Sequence, residues 1–350
     1  MLNPGRNGMN HSIEIVGDAQ PVWAHDGETI LDALLRNGVG FSYSCQAGNC
    51  GSCKCEYVSG EIFELEYSEH ALSTGERARN VVLACRTQVW SDLRIRRLEA
   101  EDFVMHPSRV MQCRVSAIDV LTHDVLRLRF EIETGGPFTF SAGQFAKLQF
   151  AFAAESPRDY SMANAPHEPA LEFHVRVLAG GVSERIRDRL RVGDAVRISG
   201  PFGTSYLREQ HTGPILAIAG GTGLAPIRSI VHAALRAGLP GPIHLYVGVR
   251  AERDVYGEAE LRHWEQTHPN LHVHVVLSEG HAGVARRMGL VSDAVAADFS
   301  SLGGFNAYLA GPPAMVDAVT QLLRSRGMSA RDLHADAFYS AVPGQPATAV

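Results

Sequence analysis

Four cysteines in the first third of the chain have a spacing that could hold an iron-sulfur cluster. Three of them follow a C-x4-C-x2-C pattern, and the fourth comes after a gap of 31 residues. The four are Cys45, Cys50, Cys53 and Cys85. Two irons bridged by two sulfides need four thiolate ligands, and this spacing is one of those used by [2Fe–2S] sites. Gly48 and Gly51 would let backbone N–H groups approach the sulfurs.

A zinc site is the alternative, because zinc is also held by four cysteines. Zinc sites usually come as two short C-x2–4-C knuckles, and the second knuckle is missing here. The pattern therefore favours the cluster. Cys55 and Cys113 lie outside the pattern, and we expect them to be small buried hydrophobic residues.

A second group of residues could bind a flavin. Arg158, Tyr160 and Ser161 form an R-x-Y-S motif that could supply a bidentate phosphate contact, a flat ring face and a hydroxyl near flavin N5, respectively. A Gly-rich turn then opens a predicted helix, where free N–H groups and the helix dipole favour a pyrophosphate. Its candidate residues are Gly181, Val182 and Ser183.

A third group lies where predicted parallel strands end, which is where ligands collect in open α/β sheets. The turn AGGTGLAP joins a predicted strand to a helix and would receive a dinucleotide phosphate, although a purely structural tight turn is the alternative. Its candidate residues are Gly221, Thr222, Gly223 and Pro226. Arg250 follows the next strand, and the run AGPPAM follows a later one.

The composition limits the classes of protein to which the chain could belong. With 350 residues, 45% hydrophobic and 20% charged, it has room for two or three globular domains. A net charge of −6 argues against a nucleic-acid binder. Neither a signal peptide nor an apolar run of roughly 20 residues is present, so we expect no membrane association and a cytoplasmic location.

The pattern of predicted elements changes twice along the chain, which indicates three domains. A small α+β block is followed by short strands separated by Gly, Pro and Asp, which favours an antiparallel barrel. Strands then alternate with helices, which indicates a parallel α/β sheet. The predicted bounds are 11–96 for the cluster domain, 97–108 for a linker, 109–208 for the barrel, 209–340 for the α/β domain and 341–350 for a tail.

The three sets of motifs in this order resemble the ferredoxin-NADP⁺-reductase superfamily over about residues 12–340. More narrowly, the chain resembles the reductase components of multicomponent aromatic-ring-hydroxylating oxygenases of the naphthalene-dioxygenase and salicylate-hydroxylase type. The resemblance implies a multidomain α+β and α/β fold: a β-grasp ferredoxin domain, an FAD-binding antiparallel β-barrel and a nicotinamide-binding parallel domain. It implies FAD rather than FMN, because the FMN-using branch carries its ferredoxin domain at the C-terminus.

The resemblance also assigns residues that the motifs alone do not. It places the strand His174-Val175-Arg176 beside the ribityl and phosphate region of FAD. It places Gly311, Pro312 and Met315 in the nicotinamide pocket, and Phe338 of a D-x-F ending against the flavin. Tyr160, Ser161 and Phe338 are thus the candidate catalytic residues. Many relatives have Cys where this chain has Ala310, which leaves the fine placement of the nicotinamide open.

The function implied is transfer of electrons from NAD(P)H through FAD and [2Fe–2S] to a Rieske-type ferredoxin or the terminal oxygenase. The same relay serving a diiron monooxygenase, such as a phenol or methane hydroxylase, or a deoxysugar dehydrase is the alternative. Acidic residues alternate with Arg250 and Arg253, which favours NADH, with use of NADPH left open. We expect a monomer.

Overall fold

The computed structural model describes residues 10–69, 71–98, 104–279 and 286–339. The chain divides into two compact units, residues 1–105 and 106–350. Residues 99–103 of the predicted linker and the whole of the predicted tail lie outside the described residues. The finer bounds of the three domains stay predictions.

The first unit contains a five-stranded mixed sheet in the order β2-β1-β7-β3-β5 and a small β4-β6 pair. Its elements are β1 (Asn10–Ile15), β2 (Val22–His25), α1 (Ile30–Arg36), β3 (Lys54–Ser59), β4 (Ile62–Glu64), α2 (Thr74–Arg77), β5 (Val81–Leu83), β6 (Thr87–Val89) and β7 (Leu93–Arg97). The first two strands form an antiparallel hairpin, and β1 pairs with β7 in parallel. The cysteine loop fills the connection between α1 and β3.

Helix α1, which precedes the cysteine loop, has local signals at both of its ends. The Thr29 side chain accepts a hydrogen bond from the Asp32 N–H at 3.1 Å and caps the helix. Its apolar residues, from Ile30 to Leu34, are buried. Gly38 ends the helix in the left-handed region at φ +73°, which glycine adopts without strain.

The second unit begins with a six-stranded antiparallel sheet in the order β11-β10-β13-β8-β9-β12. Its elements are β8 (Arg109–Val120), β9 (Val125–Thr134), β10 (Phe145–Phe150), β11 (Arg158–Ser161), β12 (Leu171–Arg176), α3 (Val182–Arg189) and β13 (Ala195–Phe202). A bridge between Met162 and Phe173 joins the two edges, so the sheet nearly closes into a barrel. Phe130 and Phe173 meet edge to face inside it, 5.8 Å apart.

A six-stranded parallel sheet follows, in the order β17-β16-β15-β14-β18-β19. Its elements are β14 (Ile215–Gly220), α4 (Leu224–Arg236), β15 (Ile243–Val249), α5 (Glu258–Thr267), β16 (Leu271–Leu277), β17 (Arg287–Met288), α6 (Val291–Asp298), β18 (Asn306–Gly311), α7 (Pro313–Ser325) and β19 (Leu333–Ala337). The chain adds strands outward from β14 and then returns to its other side. The point of reversal, between β14 and β18, is where such sheets form ligand crevices.

The mixed sheet of the first unit, the antiparallel near-barrel and the parallel sheet confirm the fold class expected from the sequence. Among the helices of the described residues, none is long and apolar enough to cross a lipid bilayer.

Candidate functional site

The four predicted cluster cysteines converge in the first unit. The Sγ atoms of Cys53 and Cys85 lie 3.2 Å apart, and both residues are buried. Cys45 and Cys50 are half-buried on the loop before β3, where the backbone N–H of Cys45 points at the Cys50 sulfur from 3.5 Å. Electrostatic interactions of Cys45 with Cys85 and of Cys50 with Cys53 link the two pairs. The loop with Cys45, Cys50 and Cys53 therefore meets Cys85, which lies after β5, 32 positions beyond Cys53.

Backbone N–H groups of the same loop point at Cys45. Those of Ala47 and Asn49 donate to its sulfur at 3.5 and 3.3 Å. A hydrogen bond with Cys50 lowers the pKa of the Cys45 thiol to about 7, and the two N–H groups act in the same direction. Such donors stabilise a thiolate, which is the form that ligates iron.

Two glycines allow the loop its tight course. Gly48 has φ +75°, and a Cβ there would lie 2.7 Å from side-chain carbons of Tyr67 and Arg86. Gly51 has φ +70°, and a Cβ there would lie 2.6 Å from the Ala71 carbonyl oxygen. Convergent thiols ringed by N–H donors fit a [2Fe–2S] cluster.

The two remaining cysteines have a different environment. Cys55 and Cys113 are completely buried, and burial raises the pKa of each thiol to about 12. Both are therefore neutral thiols packed in strands, as expected for small hydrophobic residues. None of the six cysteines, all within the described residues, forms a disulfide.

The R-x-Y-S motif forms strand β11 of the barrel. Tyr160 is half-buried against the barrel core, and burial raises its pKa to about 12. The Ser161 hydroxyl donates to Oδ2 of Asp336 at 3.3 Å, which brings β19 beside β11. Arg158 donates to the Pro157 carbonyl at 3.0 Å. The motif thus lies where the barrel meets the parallel sheet.

Strand β12 carries the next three predicted residues with alternating orientation. Val175 packs in the barrel core, whereas His174 is buried on the opposite side. Arg176 pairs with Asp124 at 3.1 Å. The side chains of His174 and Arg176 therefore already have protein partners.

The turn before α3 has a capped geometry. Gly181 is the N-cap, and Val182 is buried beneath it. The Ser183 hydroxyl accepts the Leu178 N–H at 2.9 Å, and the Glu184 carboxylate accepts the Gly180 N–H at 2.8 Å. An anion at this turn would compete with Glu184 for the Gly180 N–H.

The dinucleotide turn lies at the sheet's point of reversal. A Cβ on Gly220 would lie 2.6 Å from the sulfur of Met315, and one on Gly223 would overlap the carbonyl oxygen of Ala310. Gly221 has φ +55° with open space around its Cβ position, and Pro226 is buried in the first turn of α4. Only glycine lets the turn approach the end of β18 this closely.

The end of β18 brings the last predicted residues to the same place. Gly311 accepts a backbone hydrogen bond from Phe338 at 2.9 Å, and Pro312 caps helix α7. Because β19 runs beside β18, Phe338 and Asp336 meet the R-x-Y-S strand and the dinucleotide turn in one region.

Arg250 is held by two carboxylates. Its Nη2 lies 3.2 Å from Asp254 Oδ1 and 3.7 Å from Asp124 Oδ2. Asp254 also accepts the Ala251 N–H at 3.1 Å. The guanidinium after β15 is thus already neutralised.

The structure adds site neighbours that the sequence predictions did not include as site residues. These are Asp124, Glu172, Arg228, Tyr256 and Asp336. Their contacts join residues far apart in the chain, for example Ser161 to Asp336, 175 positions away. Only Asp336 had a sequence signal, since it precedes Phe338 in the D-x-F ending.

Sequence models of three domain families match the chain. That of the 2Fe-2S iron-sulfur cluster binding domain matches residues 13–89. Those of the oxidoreductase FAD-binding and NAD-binding domains match residues 112–206 and 217–321.

The chain is similar over nearly its whole length to known reductases. It is 45% identical over 317 residues to the ferredoxin–NAD(P)⁺ reductase component of naphthalene 1,2-dioxygenase/salicylate 5-hydroxylase systems from Ralstonia sp., with 90% of this chain and 95% of the relative covered. It is 42% identical over 316 residues to that of the naphthalene 1,2-dioxygenase system of Pseudomonas putida, with 89% and 94% covered.

The fold matches a solved structure of related function. The crystal structure of the Amycolatopsis cytochrome P450 reductase GcoB has a TM-score of 0.79 and 34% identity, with 94% of this chain and 98% of that chain covered. A reductase component of phenol 2-monooxygenase from Pseudomonas sp. is also similar, with 34% identity and 96% of both chains covered.

Proposed function

The chain belongs to the family of NAD(P)H-dependent, FAD- and [2Fe–2S]-containing reductase components of oxygenase systems, and we propose that it supplies electrons to a Rieske-type ferredoxin or a terminal ring-hydroxylating oxygenase in aromatic-compound degradation. The observation that carries this proposal is the 45% identity to a naphthalene dioxygenase/salicylate hydroxylase reductase across 95% of that protein. When bound, FAD accepts a hydride from the nicotinamide, and the cluster passes electrons on singly.

The cluster loop has the task of holding the metal centre. Cys45, Cys50, Cys53 and Cys85 would supply the four thiolate ligands. The N–H groups that already point at Cys45 would stabilise negative charge on the sulfurs.

The barrel would hold the flavin between β11 and the end of β19. Tyr160 offers a ring face, Arg158 a charge for the pyrophosphate, and the turn of Gly181 to Ser183 a helix N-terminus. The Ser161 hydroxyl would face the flavin ring, and its bond to Asp336 fixes the rotamer of that hydroxyl. Phe338 would cover the same region.

The dinucleotide turn would receive the pyrophosphate of the coenzyme. Backbone N–H groups of the turn from Gly221 to Gly223, just before α4, would contact it, and Pro226 needs no N–H partner in the first helical turn. Gly311, Pro312 and Met315 would border the nicotinamide. Hydride transfer between two cofactors that are bound side by side would need no acid or base from the protein. These residues would therefore act by positioning the cofactors.

We propose NADH as the preferred coenzyme. A ribose 2′-phosphate needs an unpaired cation, and Arg250 is engaged by Asp124 and Asp254. The two carboxylates would also repel the phosphate.

The function is tested by steady-state oxidation of NADH and NADPH with cytochrome c, and then with purified partner proteins. We expect turnover with cytochrome c, a higher kcat/KM for NADH, and hydroxylation when a Rieske ferredoxin and ring-hydroxylating oxygenase are added. Absence of NAD(P)H turnover would reject the reductase function itself.

The alternative keeps the relay and changes the recipient, which would be a diiron monooxygenase or a deoxysugar dehydrase. Similarity to a phenol 2-monooxygenase reductase component supports this alternative. Reconstitution with each class of partner separates the two, because only the matching partner will couple NADH oxidation to product. We also propose that the protein acts as a cytoplasmic monomer, for which gel filtration is the test of the oligomeric state.

A further inference from the structure

A buried tyrosine lies between strand β12, which is predicted to pass beside FAD, and the dinucleotide turn. Tyr256 is 8% exposed, in the connection between β15 and α5. Its Oη lies 3.2 Å from Nδ1 of His174 on β12 and 3.5 Å from the carbonyl oxygen of Gly221. The His174 and Tyr256 rings meet edge to face at 5.3 Å. One hydroxyl therefore contacts both cofactor-binding segments.

The partners of His174 decide which atoms carry the protons. Nε2 of His174 lies 3.2 Å from Oε1 of Glu172, whose other oxygen accepts from Arg129 at 2.8 Å. Burial would raise the pKa of Glu172, but these hydrogen bonds outweigh it and lower the pKa to about 2. Glu172 is thus an ionised acceptor, so His174 Nε2 must be the donor.

The other histidine nitrogen is then an acceptor. Burial lowers the pKa of His174, with the Arg228 and Arg127 charges acting in the same direction against Glu172. In the neutral ring Nδ1 carries no proton, so it accepts from the Tyr256 hydroxyl. The single Tyr256 proton is therefore shared between His174 and the Gly221 carbonyl.

The Gly221 carbonyl and the Thr222 N–H belong to the same peptide group, so the direction of one sets the direction of the other. In a trans peptide, the C=O of one residue and the N–H of the next point in opposite directions. Holding the Gly221 carbonyl therefore fixes the direction of the Thr222 N–H. Gly221 has φ +55° and open space at its Cβ position. Packing around Gly221 therefore does little to restrain this peptide. Besides Tyr256, the Leu224 N–H also contacts this carbonyl.

We propose that Tyr256 is a positioning residue for the dinucleotide. Tyr256 orients the Gly221–Thr222 peptide toward the pyrophosphate and links that peptide to strand β12 of the barrel through His174. The inference rests on the proposed function, in which this turn binds the pyrophosphate of NADH.

The rest of the contact between barrel and parallel sheet does not depend on Tyr256. Arg228 of α4 donates to the Ala163 carbonyl at 2.6 Å, and Ser229 donates to the Asn164 carbonyl at 2.7 Å. Arg228 is also held by both carboxylate oxygens of Glu260. Removal of the Tyr256 hydroxyl should therefore loosen the dinucleotide turn without separating the barrel from the parallel sheet.

The test is Tyr256→Phe in the full-length, FAD-loaded protein, with titration calorimetry of ADP-ribose, which has the pyrophosphate but no reactive nicotinamide. We expect the Kd to rise about three- to tenfold, the range set by one net hydrogen bond. FAD content and Tm should stay at wild-type values. The matched control is Tyr246→Phe, which also removes a buried hydroxyl hydrogen bond, to Asp298 at 2.5 Å, and should leave the Kd unchanged.

The outcomes separate the two levels of the proposal. If wild-type protein does not bind ADP-ribose, the proposed pyrophosphate site is wrong. If wild type binds and Tyr256→Phe binds equally well, or if both Tyr→Phe variants weaken binding alike, the role of Tyr256 is wrong.

A second variant tests the same link from the β12 side and is compared with wild type at equal FAD content. His174→Gln removes both the Nδ1 acceptor and the ring that packs edge to face on Tyr256. Tyr256 is then no longer fixed beside Gly221, so we expect the Kd for ADP-ribose to rise in the same direction. Because His174 acts through Tyr256, the double variant should bind no more weakly than the weaker single variant. An unchanged Kd in His174→Gln, or additive losses in the double variant, would contradict the proposal.

Discussion

At the scale of single residues, the same amino acid has different partners two positions apart. The pKa of both thiols is raised, that of Cys53 by its contact with Cys85 and by burial, and that of Cys55 by burial alone. Cys53 lies 3.2 Å from the sulfur of Cys85, whereas Cys55 is enclosed in the sheet. Residue type does not separate the two. The spacing pattern does, because it counts three cysteines that one loop carries and a fourth at the distance that this type of cluster uses.

This difference predicts the result of a matched pair of variants. Cys53→Ser should abolish cytochrome c reduction, because the one-electron exit is lost, and should spare much of the ferricyanide reduction that the flavin supports directly. Cys55→Ala should keep both activities and cost about 1 kcal/mol of unfolding free energy. Both assays with NADH, together with visible absorption of the cluster, are the measurement. Wild-type cytochrome c reduction in Cys53→Ser would remove Cys53 from the ligand set.

The pairing of Arg250 predicts a shift in coenzyme preference. Asp124→Asn removes one of its two carboxylate partners, so Arg250 becomes more available to a 2′-phosphate. Because Asp124 also pairs with Arg176 on the predicted flavin side, the comparison is made at equal FAD content. We expect the ratio of kcat/KM for NADPH to that for NADH to rise about two- to fivefold, as for release of a partly exposed ion pair. Asp119→Asn, which frees Arg127 on the barrel instead, is the control. An unchanged ratio in Asp124→Asn would show that Arg250 does not read the coenzyme.

At the scale of elements, local signals were sufficient for most of the fold. In the structure Thr29 caps α1 and Gly38 ends it, and the alternation of strands and helices within residues 209–340 predicts the parallel sheet. These features depend on neighbours in the sequence, and the structure confirms them.

Long-range pairing could not be predicted from the same signals. Strand β19 lies beside β18, which brings Asp336 to Ser161 across 175 positions. The His174–Tyr256 contact spans 82 positions and depends on how the barrel packs against the sheet. Periodicity predicts which face of an element is buried, but it does not predict which element buries it.

The closeness of the dinucleotide turn to β18 predicts a large effect from a single methyl group. Gly223→Ala would drive a Cβ into the Ala310 carbonyl, so the backbone must shift, at a cost of about 1–3 kcal/mol. It should also weaken ADP-ribose binding. Gly238→Ala, after α4, has open space at its Cβ position, and its φ is +66° where that of Gly223 is −58°. Only backbone strain of about 1 kcal/mol is expected there, with binding intact. Urea unfolding and calorimetry measure both. Equal effects would mean that the turn can move away from β18.

At the scale of the whole molecule, the chain combines two compact units, and the second contains both predicted nucleotide-binding layers. Several of its histidines are packed against the parallel sheet as neutral rings. Burial, with His272 and His274 nearby, lowers the pKa of His244 to about 4. Burial, with Arg208 and His211 nearby, lowers the pKa of His334 to about 3. The stability of this unit is therefore linked to pH.

The direction in which stability changes with pH follows from the number of protons that the folded and the unfolded chain bind. Between the ordinary histidine pKa of 6.5 and the lowered values, the unfolded chain binds protons that the folded chain does not. The histidine contribution to stability is thus complete above pH 6.5 and is lost as the pH falls toward 4. The contribution of Glu172 is lost at lower pH, between its ordinary pKa of 4.5 and its folded pKa of about 2, so it overlaps only the acidic end of the histidine window.

His334→Phe tests this linkage at one position. The ring stacks on Tyr308 at 5.1 Å, and its Nε2 is buried without a hydrogen-bond partner among the residues that the structure describes. Phenylalanine therefore keeps the packing and removes the titrating group. Urea midpoints measured from pH 7 to pH 4.5 should fall less in the variant than in wild type, because unfolding takes up about one proton fewer. His263→Gln, at an exposed position on α5, should follow the wild-type curve. Parallel curves for His334→Phe and wild type would show that this histidine is protonated in the fold without cost.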